Sequence, residues 1–381
     1  MKILLVGEYS RLHNSLKEGL VALGHEVKIV GTGDHFKGFP VDFSIAAKVC
    51  SDFVLARFLN KVSVKLFGLD LEQMEKGWRF RKLLPKLKNY DVVQLINSDA
   101  IETFPSSQIR LYKKLFAQNH KVFLLICGEE TPIIDELLKG KQKYSILSPY
   151  LEDRDLKKSY AYTLKYISKS YRELYDFVVS KSCGIIVSDL DYKIPMDQHG
   201  VATTYIPNPI NIDKITFINN PIDDKIIIFH GKNTLSADKK GSLYFEKALE
   251  IIRQKYADKV SIICASNMPY SQYIELYDKA HILLDQVYSY DQGYNALEAM
   301  AKGKVVFTGA EAEFVAYFEL DEPVNINALP DVTSLVTELS QLIDNPKIIT
   351  AIGKNARIFI EREHHYIKIA QRYVDQWAKI S

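Results

Sequence analysis

Short apolar segments that end at a glycine or a polar residue alternate with helical segments along the chain. The first example is KILLVG at 2–7, which is followed by a segment at 12–24 with leucines at helical spacing and then by HEVKIVG at 25–31. A strand, a helix and a second strand in this order form a βαβ unit, which predicts a parallel sheet with helices on its faces. The same pattern predicts strands at 91–97, 121–128 and 183–189, a helix at 107–119 and a long Tyr- and Lys-rich helical stretch at about 153–182.

The alternation stops at 206–224 and then begins again. This segment has three prolines and four asparagines and no apolar periodicity, which is typical of a linker. Strands are predicted after it at 225–231, 259–266, 281–287 and 304–309. Because 381 residues exceed a typical single domain, we predict an α/β protein with two Rossmann-like domains, at 1–210 and 211–381, whose parallel sheets face each other across a cleft. A last helix at about 364–380 could pack back on the first domain.

Composition excludes some classes of function. The net charge of +2 predicts no strong electrostatic field for nucleic acid. The four cysteines, Cys50, Cys127, Cys183 and Cys264, show no CxxC spacing, and we expect buried, reduced thiols in a cytoplasmic protein. The apolar run at the start is too short for a signal peptide, and no apolar stretch of 18 residues predicts a membrane span.

The segment at 43–67 is apolar and carries Lys48, Arg57, Lys61 and Lys65. A basic amphipathic helix of this kind could bind the surface of an anionic membrane. Since these four cations do not fall on one clean face, a helix that packs into the core of the first domain is the expectation.

Open parallel sheets bind ligands beyond the carboxyl ends of their strands. The first such loop, at 7–13, contains a single glycine, so the dinucleotide fingerprint GxGxxG is absent. The loop after the strand at 225–231 contains Lys232, Lys239 and Lys240 just before a helix. Lysines at a helix start oppose the helix dipole, whereas an anionic ligand there would offset that cost. A phosphate site and a solvated basic loop are equally compatible with this pattern.

The segment DQGYNALEAMAKGKVVFTG at 291–309 predicts a short helix between Gly293 and Gly303 that leads into a strand. Leu297, Met300 and Ala301 would face the core, and Asn295, Glu298 and Lys302 would form a polar stripe. Glu298 and Lys302 could be an ordinary i,i+4 ion pair. Alternatively, Glu298 could hold the ribose of a ligand that approaches the helix N-terminus at Gly293.

The LEAMAKGKVV run at 297–306, Gly293 five residues before Glu298, and the HGK…KKG loop at 230–241 resemble a family 4 retaining glycosyltransferase of the two-Rossmann-domain (GT-B) type. The resemblance implies that Glu298 binds the ribose of a nucleotide-diphosphate sugar and that Lys232 and Lys240 act on the diphosphate. Gly231, Gly293 and Asn295 would line the nucleotide site. The family's first glutamate is replaced here by Tyr290, so Tyr290 or Asp291 is the candidate contact to the donor sugar.

The candidate residues on the acceptor side are Gly7, His13 and Glu129. The resemblance implies transfer of a sugar to an acceptor hydroxyl with retention, in bacterial glycan or polysaccharide assembly, with no metal or other cofactor and with a glycan or a lipid-linked acceptor as partner. Two alternatives stay open, namely a hydrolysing sugar-nucleotide epimerase of the same architecture and a non-catalytic sugar-nucleotide-binding protein. The expected location is cytoplasmic, with contact to the inner membrane face as a further possibility.

Overall fold

A computed structural model of the chain describes residues 1–34, 37–222, 224–232, 236–266 and 270–379. The strands are β1 (Lys2–Val6), β2 (Glu26–Gly31), β3 (Phe43–Ser44), β4 (Val92–Leu95), β5 (Lys121–Ile126), β6 (Gly184–Val187), β7 (Thr204–Tyr205), β8 (Ile226–Lys232), β9 (Val260–Ser266), β10 (Ile282–Leu284), β11 (Val305–Thr308) and β12 (Ile326–Asn327).

The helices of the first half are α1 (Leu12–Ala22), α2 (Lys48–Asp52), α3 (Val54–Phe67), α4 (Leu71–Leu83), α5 (Pro105–Ala117), α6 (Thr131–Leu138), α7 (Ser148–Glu152), α8 (Ala161–Leu164), α9 (Lys169–Lys181) and α10 (Leu190–Gln198). Those of the second half are α11 (Ala237–Lys240), α12 (Ser242–Lys255), α13 (Tyr270–Lys279), α14 (Tyr294–Ala301), α15 (Ala312–Tyr317), α16 (Val332–Asp344), α17 (Pro346–Glu363) and α18 (Tyr366–Ala378).

The strands form two sheets, and their paired strands are parallel. The first sheet has the order β3-β2-β1-β4-β5-β6-β7, and the second has the order β12-β11-β10-β8-β9. The predicted α/β class with two Rossmann-like domains is therefore confirmed. The predicted strands are present, and the sequence pattern misses β3, β7 and β12, which are each two residues long and therefore too short to show alternation.

The helical stretch predicted at 153–182 is not one helix. It consists of a 3₁₀ turn at Arg154–Lys158, α8, a second 3₁₀ turn at Lys165–Ile167, and α9. The break lies where Lys165 turns inward to bind Asp99, with 2.8 Å between Lys165 Nζ and Asp99 Oδ2. The prediction of four buried thiols is also wrong in part, because Cys183 and Cys264 are exposed.

The last helix, α18, lies against the first domain. Its Trp377 and Tyr373 are buried, and the Trp377 ring lies 6.4 Å from that of Phe123 in β5. α18 approaches α1 so closely that a Cβ added at Gly19 would clash with the Tyr366 carbonyl oxygen and lie 2.8 Å from Ala370 Cβ. Glycine at this position of α1 is therefore required by packing.

We expect Gly19→Leu to lower the free energy of unfolding by about 1–3 kcal/mol, because the new side chain has no room under α18. Thermal and urea unfolding measure this change, with Ala22→Leu, at an exposed position of the same helix, as the matched control. If α18 did not pack here, Gly19→Leu would stabilise α1 instead, since glycine is a poor helix former by about 1 kcal/mol.

Candidate functional site

The loops at the carboxyl ends of the two sheets meet between the domains. Lys239, in the short helix α11 that follows β8, donates hydrogen bonds to Glu129 Oε1 (2.7 Å) and Thr163 Oγ1 (2.5 Å) of the first domain. Tyr294, at the start of α14, donates to Ser15 Oγ in α1 at 2.5 Å. The predicted cleft is therefore the place where the segments with candidate site residues come together.

α14 positions Glu298. Leu297, Met300 and Ala301 are fully buried, which confirms the predicted core face. Their packing fixes the orientation of α14 and therefore the direction of Glu298. Gly293 precedes the helix without a side-chain cap, so the amide groups of the first turn are open to a ligand.

The Glu298 carboxylate is half-buried, and among the described residues no hydrogen bond or ion pair reaches it. The alternative that Glu298 pairs with Lys302 is wrong, because the Lys302 ammonium binds Asp278 instead. Burial raises the pKa of Glu298, and the positive charges of Arg11, Lys302 and Lys37 oppose that shift without a direct ion pair. A half-buried carboxyl group without a partner is costly, which favours a binding role for this side chain.

The basic residues near the cleft differ in their partners. Lys232, which follows Gly231 at the end of β8, lies 2.6 Å from Glu246. Lys240 Nζ lies 2.7 Å from Asp285 Oδ1, and Asn295 Nδ2 donates to the same oxygen at 3.3 Å.

Asp285 itself is buried, and its second oxygen has no hydrogen-bond partner. Lys240 and Asn295 therefore converge on one carboxylate beside the start of α14. This carboxylate fixes the position of the Lys240 ammonium at the cleft.

Tyr290 and Asp291 lie in the contact between the domains. The Tyr290 hydroxyl accepts a hydrogen bond from Lys143 N at 3.1 Å. Asp291 Oδ2 accepts hydrogen bonds from Leu190 N and from the Tyr205 hydroxyl, both at 3.1 Å. Asp291 does not cap α14, since Gly293 occupies the N-cap position. Both side chains are buried, so a contact to a donor sugar requires the domains to move.

Three carboxyl groups gather at this contact. Asp191 accepts hydrogen bonds from Tyr290 N (2.7 Å) and from the Ser289 hydroxyl, and Asp189 accepts from Asp191 N at 2.8 Å. Burial raises the pKa of Asp191 to about 7 and that of Asp291 to about 6, and it raises the pKa of Asp189 as well. Repulsion from neighbouring carboxylates adds to the shifts of Asp189 and Asp191.

On the acceptor side, Gly7 follows β1 with φ +86°, and a Cβ there would clash with Ile96. His13 is instead a core residue. Its ring is fully buried, with Nδ1 2.7 Å from the Gly7 carbonyl oxygen and Nε2 3.2 Å from Gln94 Nε2. Burial lowers the pKa of His13 to about 4, so the ring is neutral. Because the ring is also fully buried, it offers no surface to an acceptor, unlike the prediction from the sequence.

Sequence reasoning missed Glu8, Lys165 and the bridging role of Lys239. Glu8 is fully buried, with one carboxylate oxygen free of hydrogen bonds, and burial raises its pKa to about 8. Its position directly after a strand-ending glycine is the only signal in the sequence. The Lys165 ammonium lies within 3.7–5.1 Å of the ring centres of three tyrosines, which are Tyr162, Tyr166 and Tyr171.

Part of the amino-acid sequence is similar to a known protein family. Residues 241–375 match a family described as glycosyl transferase-like. No curated protein matches the chain by sequence. The matched segment lies in the second half of the chain and includes Glu298.

Solved structures with the same fold include three full-length matches. HepE from Anabaena in complex with UDP and glucose is similar with a TM-score of 0.61 and 12% identity, over 100% of both chains. Sucrose-phosphate synthase from Thermosynechococcus elongatus is similar with a TM-score of 0.59 and 12% identity, over 100% of this chain and 99% of the other. A UDP-GlcNAc 2-epimerase from Neisseria meningitidis bound to UDP-GlcNAc has a TM-score of 0.51 and 15% identity, over 100% of both chains. The fold is thus GT-B.

The carboxyl groups of Asp189, Asp191 and Asp291 should make the stability of the fold depend on pH. A carboxyl with a raised pKa in the folded state stabilises the protein fully below its unfolded pKa, near 4, and this contribution is lost as the pH rises through about 7 for Asp191. We expect Asp191→Asn to remove this loss. Its amide can still accept from Tyr290 N and can donate to Ser289.

Thermal unfolding between pH 5 and pH 8 measures the effect. The difference in unfolding midpoint between Asp191→Asn and the unmodified protein should shift in favour of the variant by about 2–4 °C or more from pH 5 to pH 8. Asp197→Asn, at a half-exposed position of the same helix, is the control and should show no such trend. Parallel pH profiles for Asp191→Asn and the unmodified protein would contradict the assignment.

Proposed function

We propose that the protein is a glycosyltransferase that moves a sugar from a nucleotide-diphosphate sugar to an acceptor hydroxyl, with retention at the anomeric carbon. The observation that carries the proposal is the half-buried Glu298 carboxylate, which has no partner among the described residues and lies one turn inside an uncapped helix at the cleft. A carboxylate in this place can accept hydrogen bonds from both hydroxyls of a ribose.

The proposal assigns the diphosphate to the space between Lys240 and the start of α14. The Lys240 ammonium and the free amide groups after Gly293 both favour negative charge. As the bond between the sugar and the phosphate oxygen breaks, charge grows on the departing diphosphate, and a fixed cation stabilises that state most. The new bond forms between the acceptor oxygen and the anomeric carbon, and the departing phosphate takes the acceptor's proton.

The first domain would hold the acceptor beside Gly7 and Glu129. Here Lys165 and its tyrosines offer flat rings and a cation, and Asp99 is a buried acceptor. Lys239 bridges to Glu129, so an acceptor that reaches the donor has to enter beside this ion pair. UDP-glucose is the first donor to test, because HepE, which has the same fold, was solved with that molecule. A role in bacterial glycan or polysaccharide assembly belongs to the same proposal.

A thermal-shift panel of uridine, guanosine, adenosine and cytidine diphosphates and their sugars identifies the donor. A ligand at 100 times its Kd stabilises the folded state by about 2.7 kcal/mol. Mass spectrometry of products then separates three outcomes. A glycosylated acceptor supports the proposal, an epimerised sugar with free nucleotide supports a hydrolysing epimerase, and binding without any sugar release supports a non-catalytic role.

We expect Glu298→Gln to weaken binding of the donor nucleotide about 10–100-fold, because charged acceptors for two hydroxyls are replaced by a neutral group. Stability should be unchanged or higher, since the variant removes a half-buried charge with no partner. Calorimetric titration and thermal unfolding measure the two effects. Glu250→Gln, at an exposed position of α12, is the control, and unchanged affinity in Glu298→Gln would refute the ribose contact.

We expect Lys240→Gln to lower turnover on the order of 10²-fold and also to destabilise the fold, because it leaves Asp285 buried without its cation. The double variant Lys240→Gln/Asp285→Asn should recover the unfolding midpoint but not the turnover. Asp285→Asn alone is the control for the partner. Recovery of turnover in the double variant would mean that Lys240 is only the counter-ion of Asp285.

A further inference from the structure

α3 lies on the surface of the first domain. Its half-buried residues are Ala56, Asn60, Val62 and Ser63, and no residue of this helix is buried. Asn60 accepts a hydrogen bond from Leu71 N at 2.7 Å, and the Ser63 hydroxyl donates to the Leu69 carbonyl oxygen at 2.8 Å. Hydrogen bonds, rather than apolar burial, therefore fasten α3 to α4. The expectation of a helix that packs into the core is wrong.

The outward side of α3 is apolar. Its large exposed side chains include Val54 (73%), Leu55 (70%), Phe58 (62%), Leu59 (49%), Leu66 (66%) and Phe67 (78%). Single exposed apolar residues are common on proteins, but a contiguous group of this size marks an interaction site. On the neighbouring α4, Trp78 is also about half exposed, with the Lys82 ammonium 3.6 Å from its ring centre.

A cationic stripe runs beside this apolar side. α3 begins at Val54, so Arg57, Lys61 and Lys65 fall at i, i+4 and i+8 and share one face. They do form a clean stripe, contrary to the sequence prediction, because Lys48 belongs to the separate helix α2. The sequence of α3 contains no acidic residue, and within the described part of the chain no carboxylate pairs with these three cations. We call the six apolar residues and these three cations the α3 surface.

We propose that the α3 surface binds the interface of an anionic lipid bilayer, with α3 lying in the plane of the membrane. Apolar side chains beside unpaired cations match the acyl and headgroup layers of such a surface. A second copy of the chain fits less well, because a two-fold contact through this surface would bring identical cationic stripes together. Among the described residues, no helix is both long and apolar enough to cross a bilayer.

The α3 surface is joined to the cleft through α4. Lys76 of α4 forms a buried ion pair with Glu102 at 2.8 Å, and the Thr103 hydroxyl donates to the Gln73 carbonyl oxygen at 2.5 Å. Glu102 and Thr103 belong to the loop that follows β4. A bilayer bound at α3 would therefore lie beside the acceptor side of the cleft. The consequence that the acceptor is lipid-linked rests on the proposed function, whereas membrane binding itself does not.

Flotation of the full chain with lipid vesicles tests the proposal. Vesicles of phosphatidylcholine are compared with vesicles that contain one quarter phosphatidylglycerol. We expect binding to the anionic vesicles only, and weaker binding at high salt. The variant Arg57→Gln/Lys61→Gln/Lys65→Gln should lose about a hundredfold in partitioning, and Leu55→Ser/Phe58→Ser/Leu66→Ser should lose binding to a similar degree.

The controls are Lys347→Gln/Lys354→Gln and Ile358→Ser, all exposed on α17, and they should bind vesicles as the unmodified protein does. All variants should keep the unfolding midpoint and the thermal shift with nucleotide, which separates this test from the proposed activity. Absence of binding to anionic vesicles, or equal losses in the controls, would overturn the proposal. So would a dimer in light scattering that the apolar variant dissociates while no vesicle binding occurs.

Discussion

Two carboxylates, one from each domain, fix how the domains meet, because each accepts a hydrogen bond from the backbone of the other domain. Asp191 of the first domain accepts from the backbone of Tyr290, and Asp291 of the second accepts from the backbone of Leu190. These two bonds, of 2.7 and 3.1 Å, clamp the loop after β10 to the start of α10. That clamp sets the separation at which Lys239 reaches Glu129 and at which the charge of Arg11 acts on Glu298.

Two carboxylates that follow strands at the cleft each keep a buried oxygen without a hydrogen bond, and within the described part of the chain they are the only carboxylates that do. They belong to Glu8 and Asp285, and Glu298 has no partner among the described residues. Groups of this kind destabilise a protein unless something else satisfies them. Sites that bind polar ligands accept such costs because the ligand supplies the missing hydrogen bonds. Unsatisfied neutral groups also occur elsewhere, for example in Tyr373 and Trp377, so the support for the proposed site comes from the carboxylates, independently of any likeness to other proteins.

Periodicity predicted most strands and the two domains, because short apolar runs bounded by glycine are strong local signals. It also placed Leu297, Met300 and Ala301 in the core correctly. It failed for His13, since a histidine in the first turn of a helix can face the cleft or the core, and only the tertiary contact to Gln94 decides. It failed for α3, because an apolar pattern at helical spacing shows that one side of a helix is apolar but not whether that side packs on protein or lies exposed. The domain contacts of Tyr290 and Asp291 depend on residues about 90 to 150 positions away, which no local pattern reveals.

The chain passes between the domains twice, and the two passages lie side by side. Ile210 N donates to the His364 carbonyl oxygen at 2.7 Å, and Tyr366 N donates to the Ile210 carbonyl oxygen at 3.1 Å. Two adjacent connections restrict domain movement to rotation about the line that joins them. They also impose an order on biosynthesis. Since α1 packs under α18, the first domain cannot bury Gly19 and its neighbours until the ribosome has completed the second, and it spends that interval with an apolar surface uncovered.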